Sequence, residues 1–125
     1  MKLHLARAEG RNLFSGYGSG YVAINGKRYE RSVIVLADRV LDWEVVGFDD
    51  LTEKTLSQLG GLSLEILILG TGVQVRFPHP SATRGLRNAG TALEVMDTHA
   101  ACRTYNILLS EDRHVGAALL VAPKR

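Results

Sequence analysis

Cysteine, proline, net charge and long apolar runs are all scarce in this chain, and each scarcity removes a class of protein. One cysteine in 125 residues leaves no intrachain disulfide and no CxxC metal knuckle. Fifteen basic against thirteen acidic residues give a net charge of +2, too little for nucleic-acid binding driven by counterion release. Lys27, Arg28 and Arg31 form one local basic cluster, on an expected hairpin. No apolar run approaches the roughly 18 residues of a membrane-spanning helix, and the opening Met1-Lys2-Leu3-His4-Leu5 reads as neither a signal nor a transit peptide. Prolines occur only at Pro78, Pro80 and Pro123, so no Pro-rich linker divides the sequence. With 46% apolar and 22% charged residues, the expectation is one cytoplasmic globular domain over residues 1–125.

The N-terminal third reads as β. Glycines at alternate positions from Gly16 to Gly20 favour a loop. A strand follows at Tyr21–Ile24, and Asn25-Gly26 is a strong signal for a type I′ hairpin turn. The return strand is expected over 27–37, with another short strand over 40–46 that carries the only tryptophan.

From Asp49 the period changes. Asp50 as N-cap and Glu53 at N3 fit a capping box for a helix ended by Gly60-Gly61. Leu64 to Leu69 is a nearly continuous apolar run, as in a strand buried on both faces of a parallel sheet. Residues 73–77 alternate like a strand, 81–88 suit a short helix, and 92–96 another strand. Asp97 or Thr98 caps a helix to about Leu109, with Cys102, Tyr105 and Leu109 on one face, and 114–121 closes the chain as a strand. A β-meander followed by alternating α and β elements predicts an α/β three-layer sandwich around a mixed sheet.

Candidate chemistry is sparse. Gly70-Thr71-Gly72 follows a buried strand, but the third glycine of a dinucleotide fingerprint is replaced by Val75, and Gly26-Lys27 continues to Arg28 rather than Ser or Thr. The strand end remains a ligand-binding position in α/β domains. A small anion or metabolite could sit there among Gly70, Thr71, Gly72, Arg84 and Arg103, or these arginines could pair with Glu94, Asp97 or Glu111 on the surface. Cys102 invites a nucleophile reading, against which Ala100, Ala101 and Tyr105 suggest a packed interior face. His4, His79, His99 and His114 form no HExxH or HxH arrangement, and no GxSxG occurs. No catalytic residue, metal ligand or cofactor is assigned.

Several stretches carry a family resemblance: Leu67 to Gly72, Arg76-Phe77-Pro78, Gly90, Glu94 to Thr98, Ala100 to Asn106, Glu111-Asp112-Arg113 and Ala117-Ala118-Leu119, together with Asn12, Tyr17, Gly18 and Gly20-Tyr21. They resemble the Mth938-like (DUF498) family, a domain of unknown function that includes bacterial and archaeal proteins and the mitochondrial complex I assembly factor 3. The resemblance implies a β+α/β/α fold, no established reaction, and a role in assembly through protein contacts. It also implies a polar network of Asp97, Thr98, Asn106 and Glu111 around the last helix. Phe14, Tyr17 and Tyr21 beside the glycine-rich loop are the candidate surface for a protein partner, with a homodimer left open.

Overall fold

Alternation of apolar side chains along the strands decides how this molecule layers. The computed structural model describes residues 10–121; Met1–Leu5, His4 among them, and Pro123 lie outside the described residues. A three-stranded antiparallel sheet comes first, β1 (Phe14–Gly18), β2 (Tyr21–Ile24) and β3 (Lys27–Tyr29). A five-stranded sheet follows, from β4 (Val33–Leu36), β5 (Arg39–Asp42), β6 (Ile66–Gly70), β7 (Ala92–Met96) and β8 (Val115–Leu119), in the order β5-β4-β8-β6-β7. It is mixed: β4 runs antiparallel to β5 and β8, while β6 runs parallel to β7 and β8.

Successive side chains of a strand point to opposite faces, and here both faces are apolar. Ile66 and Ile68 of β6, with Val33, Val35, Ala117 and Leu119, face a core completed by the small sheet and by α3 (Thr98–Ser110). Leu67 and Leu69, with Ile34, Leu36 and Ala118, face a second core under α1 (Glu53–Ser57) and α2 (Arg84–Asn88). The result is the three-layer β+α/β/α sandwich. Its fully buried interior strand β6 is the apolar run expected from sequence.

The Asn25-Gly26 turn forms with φ of 50° and 87°, the left-handed values a type I′ turn needs. The glycine-rich segment before it is strand β1, not a loop. A register irregularity between Phe14 and Gly16 absorbs the bend, and Gly18 admits the Tyr21 ring, which would lie 2.5 Å from any Cβ placed there. The expected strand over 27–37 is broken between β3 and β4, where the chain passes from one sheet to the other.

The helix after Asp50 also differs from the expected capping box. Asp50 Oδ2 instead accepts from the amides of Val46 and Gly47, closing a 3-10 turn at Phe48–Asp50. Thr52 is the true N-cap, bonded reciprocally with Thr55. The following 3-10 segment runs through Gly60-Gly61 and ends at Ser63, with φ 57°. Residues 73–77 form no strand; they run as an irregular loop. Among the described residues no helix is long and apolar enough to cross a membrane.

Two glycines in this frame have opposite tolerances. A Cβ on Gly70 would lie 2.8 Å from Leu119 Cδ2 and 3.0 Å from the backbone Cα of Thr98, whereas one on Gly61 meets nothing within 4 Å. Gly70→Ala is therefore expected to lower stability by about 2 kcal/mol through overpacking. Gly61→Ala is expected to be neutral or to add about 0.5 kcal/mol through the unfolded chain. Urea denaturation of the two variants checks the contrast.

Candidate functional site

The carboxyl ends of β6 and β7 lie side by side, and their following connections lead to helices on opposite faces of the sheet. In an open α/β sheet such a point is where a ligand crevice opens. Here the chain closes it with its own hydrogen bonds. The Thr71 amide donates to Met96 O (2.9 Å), the Thr98 amide to Gly72 O (2.9 Å), and the Leu120 amide to Gly70 O (2.8 Å). The Gly72 amide donates to Thr98 Oγ1, which donates in turn to Leu120 O, both at 2.8 Å. Thr71 Oγ1 donates to Gln74 O and accepts from the Arg76 amide.

This closure corrects the anion site expected from the sequence. The amides of Thr71 and Gly72 are already bonded within the protein, and the two arginines do not converge. Arg84 belongs to α2 and faces Glu53 at 3.7 Å. Arg103 belongs to α3, across the sheet, and donates to the phenolic oxygen of Tyr17. Gly70, Thr71 and Gly72 act instead as a packed strand terminus.

The residues expected to form one polar network around α3 make separate fastenings. Asp97 is the N-cap, accepting from the Ala100 amide at 2.9 Å. Thr98 holds the closure just described. Asn106 pairs with the main chain of Phe14, accepting from its N–H at 2.9 Å and donating to its C=O at 2.8 Å. Glu111 is the exposed C-cap residue, bonded through its own amide. Asn106 thus gives β1 a partner in the manner of a neighbouring strand. Asn106→Ala leaves both Phe14 groups unpaired in a buried setting and is expected to cost about 2 kcal/mol. Asn106→Asp sets a carboxylate oxygen against the Phe14 C=O and is expected to cost at least as much as the alanine variant in chemical denaturation at neutral pH.

The aromatic surface expected at Phe14, Tyr17 and Tyr21 is corrected as well. Phe14 is 0% and Tyr17 3% exposed. The Phe14 ring meets Tyr105 edge-on at 5.2 Å, and Tyr17 stacks on His99 with ring centroids 4.2 Å apart. Burial of large rings beneath the small sheet takes both away from any partner. Tyr21 is half-buried under the Arg28 guanidinium, 3.6 Å from its ring, and lines a cavity of about 80 Å³ with His99 and Gly72. His99 meets Gly18 O through Nε2 at 3.1 Å.

Exposed apolar side chains occur elsewhere, and the sequence reading missed them. Val73 is 92%, Val75 49% and Phe77 72% exposed, all on the loop that leaves the closed strand end. The loop is anchored by Thr71 Oγ1 and by Arg76, whose guanidinium lies 4.1 Å from the Phe48 ring. The alternation of Val73, Val75 and Phe77 was the available signal, and it reads as a strand rather than as an exposed apolar edge.

Cys102 is fully buried beside Ala101 and Tyr105, and burial pushes its thiol up to about 12. That environment suits a packed side chain and suppresses the thiolate a nucleophile needs. The Tyr105 hydroxyl is pushed up for the same reason. Both groups hold their protons more tightly folded than unfolded, so stability from them is fully present below about pH 9 and declines as pH rises toward about 12. Cys102→Ala is expected to flatten part of that decline in pH-dependent urea midpoints. A thiol reagent at neutral pH should label Cys102 only through unfolding.

Residues 14–120 match the family described as protein of unknown function, DUF498/DUF598. Over 109 residues the chain is 37% identical to NADH dehydrogenase (ubiquinone) 1 alpha subcomplex assembly factor 3 of Bos taurus, covering 86% of this chain and 59% of that one. It thus spans less than two-thirds of that relative's length. A crystal structure from Bordetella parapertussis superposes with a TM-score of 0.86 at 38% identity, covering 92% of this chain and 99% of that one. The solution structure of a Mth938-like domain from Bordetella pertussis gives a TM-score of 0.83 at 32% identity, covering 99% and 94% respectively. A family match that takes in both sheets and α3, joined to the same fold at this identity, makes the chain a member of the DUF498/DUF598 family with the Mth938-like architecture.

Proposed function

We propose that this chain is a non-catalytic docking domain of the assembly-factor kind, which meets a protein partner through the loop carrying Val73, Val75 and Phe77. The exposure of those three side chains carries the reading. Apolar groups so placed lose hydration on contact with a partner, and an aromatic such as Phe77 is a typical anchor. The loop is held at its base by Thr71 and at its middle by the Arg76–Phe48 contact, so little ordering is left for binding to impose.

The relative named as an assembly factor of NADH dehydrogenase supports the choice of partner class. By this reading the partner is a subunit of a respiratory NADH dehydrogenase, and the setting is the bacterial cytoplasm. The closed strand end supports a docking role over metabolite binding, because the amides that would receive an anion already bond within the protein.

The test is affinity capture read by mass spectrometry, with wild type beside Val73→Ser/Phe77→Ser. Subunits of the NADH dehydrogenase are expected with wild type, and the variant should keep its melting temperature but bind more weakly by about 2 kcal/mol, roughly thirtyfold. Unchanged recovery by the folded variant overturns the loop assignment, and recovery of no such subunit overturns the assembly reading. A concentration-dependent dimer that the variant abolishes would assign the loop to a second copy of the chain instead.

A further inference from the structure

Among the described residues a second surface is left without a partner, at the edge of the large sheet. Strand β5 is an edge of the five-stranded sheet. Its register with β4 pairs Val33 with Asp42, Ile34 with Leu41 and Val35 with Val40, and the Trp43 amide donates to Ser32 O. Antiparallel pairing alternates between bonded and non-bonded positions, so Leu41 and Trp43 turn their main-chain groups toward β4. Those of Val40 and Asp42 turn outward, away from the sheet.

Beside this edge runs an open groove of about 790 Å³ between β5 and α1. Its floor is apolar, formed by Leu41, Trp43, Val45, Leu59 and Leu62. Its rim carries four carboxylates, Asp42, Glu44, Asp49 and Asp50, against the single cation Lys54. Asp50 is engaged in the 3-10 turn, and Asp42 meets Arg31 at 3.1 Å in a pair with both side chains largely exposed. Such a pair is weak and exchangeable. Glu44 and Asp49 are exposed.

Sheet edges are commonly guarded by charges that repel a further strand. β5 itself carries Arg39, paired with Asp38, and Asp42, but the groove rim beside it is predominantly acidic and borders an apolar floor, so it selects an incoming strand rather than excluding every one. We propose that this groove and edge together form a binding site for an extended, basic segment of a partner protein. The segment adds to β5 as a further strand, with apolar residues at alternate positions seated on the Leu41–Trp43 floor and lysines or arginines set against the rim. Main-chain bonds from Val40 and Asp42 supply the pairing, and the alternating side chains supply the choice of partner. The site shares no lining residue with the loop at Val73–Phe77, which adjoins its rim through the Arg76–Phe48 contact.

Trp43 is the only tryptophan in the chain, so its emission reports occupancy of the groove directly. The probe is a blocked synthetic peptide of alternating lysine and valine, compared with a glutamate–valine peptide and with the lysine–valine peptide interrupted by a central proline. The lysine–valine peptide is expected to shift Trp43 emission saturably and to protect the Val40 and Asp42 amides from hydrogen exchange. Binding should weaken about tenfold for the folded variant Glu44→Lys/Asp49→Lys, for the proline peptide, and on raising the salt. Val73→Ser/Phe77→Ser should bind the peptide like wild type, which separates failure of this site from failure of the loop. No shift with the lysine–valine peptide, an equal response to the glutamate–valine or proline peptide, or indifference to the rim variant overturns the proposal. A shift produced by protein concentration alone, with dimer formation, would overturn it in favour of a second copy.

Discussion

One buried hydroxyl, that of Thr98, ties together the strand ends on which this architecture rests. It accepts from the Gly72 amide and donates to the Leu120 carbonyl, joining the exits of β6 and β8 to the first residue of α3. A threonine 5% exposed must satisfy its oxygen internally, and here it does so by bonding two main-chain groups that the sheet itself leaves over. Gly70 is part of the same constraint, since the Thr98 backbone approaches where a side chain would stand. The closure seals the crevice that this topology would otherwise open, and so turns a typical ligand position into part of the interior.

The same economy runs through the rest of the polar interior. Among the described residues, every buried side-chain nitrogen and oxygen has a hydrogen-bond partner. Asn106 serves the main chain of Phe14, the Tyr105 hydroxyl donates to Asn12 O, and Thr91 Oγ1 donates to Leu64 O. These bonds fasten α3 to the small sheet and β6 to its neighbours, uses in which directional pairing specifies register. Recognition, in the docking reading, is left to the outside: an apolar loop on one side and an acid-rimmed groove at a sheet edge.

Features written in local sequence are legible from the residues alone. The apolar run of β6, the Asn25-Gly26 turn, the Asp97 cap and the shared face of Cys102, Tyr105 and Leu109 each depend on neighbours a few residues away. Features that depend on distant residues are not. The glycines of β1 read as a loop because nothing in their spacing announces that Asn106, 92 positions on, will pair with Phe14. The capping role passed from Asp50 to Thr52 because the Asp50 carboxylate was claimed by amides upstream. Arg84 and Arg103 both follow the β6 end within a few dozen residues, yet α2 and α3 carry them to opposite faces of the sheet. Residues 73–77 alternate like a strand, yet they lie outside both sheets, so their apolar side chains are left in solvent.

Strand order carries a consequence for how the chain reaches this state during synthesis. β8 lies between β4 and β6 in the sheet, although it follows all the other described strands in the chain. Until Val115–Leu119 leaves the ribosome, the β4–β5 hairpin and the β6–β7 pair share no edge, and the two cores lack the Ala117, Ala118 and Leu119 side chains that complete them. Sheet assembly is therefore a late, long-range closure rather than a growth from the N-terminus. Any nascent chain paused before that strand presents two half-sheets with open inner edges, the form in which the molecule has most need of a companion.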